Sequence, residues 1–144
     1  MAPSIHFDDS LWPLLLSRFE GQVSDEAYEE YLRKGAAYLQ RGEPYVSVLD
    51  MVRLALPTPH QRQRQFEWLR QHGPLMRERV LGCAFIVTSP LIRLTLSTIF
   101  HVMPMPTPYV AVSDMTRAVA WATSRLTEAG YPEAAARILR HSHS

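Results

Sequence analysis

At 144 residues the chain has room for one domain with a substantial core and little for a second. An apolar content of 47% and a formal net charge of +1 exclude wholesale disorder and a strongly basic nucleic-acid binder. Cys83 is the single cysteine, which excludes an internal disulfide and a multi-cysteine metal site.

The opening Met-Ala-Pro-Ser-Ile-His-Phe-Asp-Asp lacks the basic start and apolar stretch of a signal peptide, and no run of about twenty apolar residues offers a membrane span. A cytoplasmic protein is the expectation. Charge is unevenly spread: residues 1–50 carry nine acids and four bases, residues 51–144 five acids and eleven bases. Such a dipolar chain suits docking to a charged partner or pairing with itself.

Residues 11–19 read as a strand, with Pro13 placing its start at a sheet edge. Residues 4–7 add a short strand paired with it through an Asp8-Asp9-Ser10 turn. Ser24 caps a helix from 25 to about 40, with Asp25 and Glu26 in its first turn and Gly42 beyond its end. Tyr45–Leu49 is an apolar, β-branched run that predicts a central strand ending at Asp50, followed by a connection over 51–57. Thr58-Pro59-His60-Gln61 is a capping box with proline at the first helical position, and the helix is expected to end or kink near His72, before Gly73-Pro74.

Gly82–Val87 predicts another buried strand containing Cys83, whose expected role is that of a small buried hydrophobe. Ser89-Pro90 repeats the cap-then-proline signal and opens a helix so apolar that much of its surface should be covered. Three alternate prolines, 104, 106 and 108, stiffen the next linker. Tyr109–Val112 is a last strand, Ser113-Asp114 caps a helix ended by Gly130, and Tyr131 to Arg140 forms a final short helix before a tail at 141–144. The expectation is a single α/β domain over 1–144, with a partly parallel, four- or five-stranded sheet covered by helices and an additional short C-terminal helix.

This order of elements, with the strand Tyr45-Val46-Ser47-Val48-Leu49-Asp50, resembles the SpoIIAA-like or STAS-like class of small α/β domains over roughly residues 5–128. In that class the loop and helix start after such a strand form the regulatory site of anti-anti-sigma members, where a Ser or Thr is phosphorylated. The matching region here is Met51 to Gln61, and Thr58 is the hydroxyl at the helix start. Pro57-Thr58-Pro59-His60-Gln61-Arg62 stands where the class has an Asp-Ser-Ser-Gly-type signature.

The candidate partner-binding residues are therefore Asp50, Arg53, Thr58, His60, Arg62 and Arg64. Helix-start amides and these bases attract an anion or an acidic protein patch, although Arg62 and Arg64 lie on different helix faces. The six histidines are scattered, with no His-Glu-x-x-His spacing; no glycine-rich phosphate loop or Gly-x-Ser-x-Gly turn is present. No catalytic residues, cofactor or metal are assigned.

These features predict a non-catalytic regulatory or scaffolding domain that binds a protein partner. Small-molecule or lipid sensing is the alternative, with the apolar helix 90–100 and the proline linker framing a pocket beside the sheet. A hydrolase using Asp50, His60 and Ser89 or Thr58 is a third. Homodimerisation through the apolar helix fits the first two, and a nucleic-acid partner is not expected.

Overall fold

The computed structural model describes residues 3–142. Strands β1 (Ser4–Leu11), β2 (Leu14–Gly21), β3 (Tyr45–Leu54), β4 (Val80–Ile86) and β5 (Tyr109–Val112) form one sheet in sequence order. β1 runs antiparallel to β2, and the other neighbours are parallel. The mixed, mostly parallel sheet is the one expected.

Sequence-ordered parallel strands, each joined by a right-handed crossover, put successive helices on one face. Accordingly α1 (Asp25–Gln40), α2 (Pro59–Arg79) and α3 (Pro90–Val102) pack on the side carrying Leu15, Tyr45, Cys83 and Phe85. The chain crosses to the other face after β5. There α4 (Met115–Glu128) and α5 (Pro132–Ser142) cover Leu14, Val46, Val48, Ala84 and Ile86. Alternation along β3 is strict at its start: Val46 and Val48 face α4, while Tyr45, Ser47 and Leu49 face the three-helix side.

Several sequence boundaries shift. The first hairpin turns at Trp12-Pro13 rather than at Asp8-Asp9-Ser10; Asp8 and Leu11 are already paired with β2, across an irregular register. β3 continues through the segment expected to be a connection and stops only at Leu54, because Glu20 and Gly21 supply partners for Arg53 and Leu54. α2 does not end near His72: it runs to Arg79 with Pro74 inside it. Pro74 is exposed, while Gly73 and Met76 on either side are buried, so core packing carries the helix past a residue that interrupts its hydrogen bonding. α5 reaches Ser142; the last two residues of the expected tail lie outside the described residues.

Caps fall where the sequence puts them. Ser24, Thr58, Ser89 and Asp114 each accept a hydrogen bond from a first-turn amide of the helix that follows.

Candidate functional site: an apolar cavity beside the sheet

The three helices do not fill the sheet face beneath them. Between that face and α1–α3 lies a cavity of about 200 Å³. Leu15, Leu49 and Phe85 belong to its sheet side, Tyr31 and Leu32 to the α1 side, Leu69 and Met76 to the α2 side, and Leu96 to the α3 side. Gln22 and Ala55 line it and are exposed, which marks the rim between the β2–α1 turn and the β3–α2 loop. The Gln22 side-chain amide bridges that rim, donating to the Leu56 carbonyl at 3.1 Å.

Two of the helical walls are tied together. Tyr28 of α1 donates to Gln65 Oε1 of α2 at 2.9 Å, and Trp68 Nε1 donates to the Leu32 carbonyl at 2.9 Å. Gly35 permits this approach, since a Cβ there would stand 3.4 Å from the Trp68 ring. Arg64 completes the tie by gripping Glu29 of α1 and Glu67 of its own helix.

The third wall is different. α3 has one buried residue, Ile92; Thr95, Leu96, Ile99 and Phe100 line the cavity, and Leu91, Leu94 and Val102 are exposed. The helix thus carries an apolar inner side and, on its outer side, three large apolar residues among the exposed Arg93, Ser97, Thr98 and His101. Proline segments bound it at 90 and at 104–108, and Met105 of the second also lines the cavity.

Most polar groups along the walls are spent on the protein. Gln61 is buried and donates to the Val23 carbonyl and to Asp25 Oδ1, both at 3.0 Å. The Thr95 hydroxyl donates to the Leu91 carbonyl, and the Cys83 thiol lies 3.6 Å from Thr107 Oγ1. Burial pushes the Cys83 thiol up to about 11, which keeps it protonated near neutrality.

The residues singled out in the sequence do not form one cluster. Asp50 points to the α4 side, 3.5 Å from Arg18 Nε, and accepts from the Val52 amide at 3.2 Å. The structure therefore does not bring it together with His60. Thr58 is used in its capping box: its Oγ1 accepts from the Gln61 amide at 3.1 Å, and Gln61 Oε1 accepts from the Thr58 amide at 3.3 Å. Arg64 is held by its two glutamates. Arg53 and His60 are exposed, and Arg62 lines the cavity. Neither Arg53 nor Arg62 forms an ion pair among the described residues.

Sequence reasoning missed the strand residues. Ser17 and Ser47 sit on cavity-facing positions of neighbouring strands, and both line the space. Their signal was a hydroxyl on the buried face of an otherwise apolar strand.

No family model matches the chain, and no curated protein matches its sequence. Its backbone, however, resembles that of an uncharacterised DUF3478-family protein with a SpoIIAA-like fold from Shewanella loihica. The TM-score is 0.65, with 85% of this chain and 96% of that one covered at 17% identity. The chain has a SpoIIAA-like fold. An anti-sigma factor antagonist from Mycobacterium paratuberculosis is also similar, with a TM-score of 0.53 and 84% and 94% of the two chains covered at 9% identity. At these identities the likeness concerns architecture, and the SpoIIAA-like chain's own site must be argued from its own residues. No described helix is long and apolar enough to cross a membrane.

Proposed function

We propose that this domain is a non-catalytic regulatory module that binds a small, largely apolar molecule between its sheet and α1–α3. The cavity carries this reading. Ligand sites are concave, mostly apolar and furnished with a few polar groups, and this one has aliphatic and aromatic walls interrupted by hydroxyls. The sparse burial of α3 supports it: Ile92 is its one buried residue, and Thr95, Leu96, Ile99 and Phe100 face the open volume instead of a filled core. The non-catalytic reading is supported by the separation of Asp50, on the α4 side of the sheet, from His60 at the start of α2, and by the buried Cys83 thiol, which is held protonated.

The test is to purify the protein, extract it with organic solvent and analyse the extract by mass spectrometry, then melt the stripped protein with benzene and methylbenzene. A stoichiometric extracted molecule, or an upward shift in melting temperature, supports the reading. Saturation at one hundred times Kd stabilises a fold by about 2.7 kcal/mol. No extracted molecule and no shift with either probe would overturn it.

A protein partner at residues 51–64 is a second reading, favoured by the exposed Arg53 and the cavity-lining Arg62, neither in an ion pair among the described residues, and by the regulatory name borne by one structural neighbour. An acidic surface is the matching chemistry. An Arg53→Ala, Arg62→Ala double variant tests it in a pull-down, because Arg64 has a structural task. Loss of a specific partner with folding intact supports docking there; equal retention by wild type and variant excludes it.

A further inference from the structure

We infer that the cavity is shaped for an uncharged molecule with one hydrogen-bonding group on an apolar body, the polar group being received by the hydroxyls of Ser17, Ser47, Tyr31 and Tyr45. The inference rests on the preceding reading of the cavity as a ligand site. Ser17 is only 2% exposed and Tyr45 only 4%, yet neither hydroxyl has a hydrogen-bond partner among the described residues. The hydroxyls of Ser47 and Tyr31 have none either. No polar side-chain atom among the described residues is sealed off without a partner, so these hydroxyls keep some open surface, and all four residues line the cavity. A buried hydroxyl is ordinarily paired, and unpaired ones gathered on one cavity point to a missing partner.

The strand register gathers them. Ser17 pairs with Leu49 and Ser47 with Leu15, so the two serines stand one alternation apart on adjacent strands. The Tyr31 ring lies over this side of the floor, with centroids 5.6 Å from Phe7 and 5.3 Å from Phe19. Phe7 is itself the β1 partner of Ser17. Burial raises the Tyr31 and Tyr45 phenols, leaving them protonated and able to donate.

Charge chooses between ligand classes. Among the described residues Arg62 is the one side chain with a permanent charge along the cavity, and it belongs to the rim-side helix start. A carboxylate or ammonium on the floor would be buried without a countercharge, whereas an alcohol, phenol, ketone or amide meets groups that both donate and accept. Size adds a limit: a cavity of roughly 150 Å³ takes benzene, so about 200 Å³ suits one ring with a substituent, or an aliphatic body of similar bulk.

Three probes of nearly one shape separate the alternatives: p-cresol, p-xylene and 4-methylbenzoate, titrated calorimetrically into the full-length protein at pH 7.5. The expected order is p-cresol several-fold tighter than p-xylene, with 4-methylbenzoate weakest. In a Ser17→Ala, Tyr45→Phe double variant p-cresol should weaken about tenfold per hydrogen bond lost, while p-xylene binds as before and so reports an intact cavity. If p-xylene wins in the wild type, the hydroxyls are satisfied by water and the inference falls, although the apolar site stands. Preference for 4-methylbenzoate, lost in Arg62→Ala, also overturns it in favour of an anion held at the rim. An unchanged p-cresol preference in the double variant overturns the assignment of these hydroxyls. Failure of all three probes removes both this inference and the ligand site beneath it.

Discussion

Arg64 holds Glu29 with two parallel contacts, Nε to Oε2 at 2.8 Å and a terminal guanidinium nitrogen to Oε1 at 3.0 Å, and thereby joins the two helices that wall the cavity on one side. A fork-to-fork pair of this kind fixes geometry as well as adding attraction. Hydrogen bonding to Arg64 holds the Glu29 carboxyl below its ordinary value of 4.5. A carboxylate with a depressed folded pKa contributes stability above the unfolded value and loses it as pH falls through the folded one. Arg64→Ala should therefore lower the melting temperature at pH 7, and the gap from wild type should shrink steadily on acidification below about pH 4.5. A gap independent of pH would show that the pair does not hold the helices.

Gln61 joins the cap of α2 to the entrance of α1, bonding Thr58, Val23 and Asp25 at once. Gln61→Ala should cost about 1–3 kcal/mol, the cost of leaving a buried acceptor unpaired. Thr58→Ala should cost about 0.5–2 kcal/mol as a lost cap. Because both act on one capping box, the double variant should cost less than the sum of the two. Urea denaturation of the four proteins reads the coupling directly, and simple additivity would contradict it.

Gly82 of β4 lies beneath Trp121 of α4, and a Cβ on it would stand 2.7 Å from the indole Cη2 and 2.8 Å from Cζ3. Gly82→Ala should destabilise by about 1–3 kcal/mol through overpacking. Trp121→Leu, introduced together with it, should recover part of that loss. Denaturation midpoints that leave Gly82→Ala unaffected would mean that the indole moves aside freely.

Cys83 lines the cavity and is 4% exposed. With its thiol raised to about 11, the thiolate is scarce at pH 8. A bulky disulfide reagent should label the native protein far more slowly than the urea-unfolded chain, and a saturating cavity ligand should slow it further. Labelling at the unfolded rate would place the thiol in open solvent.

Much of the frame was legible because several local signals agree. Thr58 with Gln61, and Ser89 with Pro90, mark helix starts by hydrogen-bonding chemistry confined to a few residues, and the apolar runs at Tyr45 and Gly82 mark central strands. Local rules misjudged α2 at Gly73-Pro74, since Met76 takes its place in the core through contacts remote in sequence. The site was harder to read. Arg62 stood out by charge and does line the cavity, but the equally conspicuous Arg64 is occupied by Glu29, which lies thirty-five residues earlier. Ser17 and Ser47 were nearly invisible: a serine in an apolar strand becomes a feature only once the register shows that both occupy the same buried face.

A hollow beside the sheet also changes how the molecule answers compression. Unfolding eliminates internal void, so hydrostatic pressure favours the denatured chain of a protein with an empty interior space. The volume of about 200 Å³ between the sheet and α1–α3 makes this fold pressure-sensitive when empty and stiffer when occupied. Barometric unfolding thus distinguishes the two states through molar volume alone, whatever the guest's chemical identity.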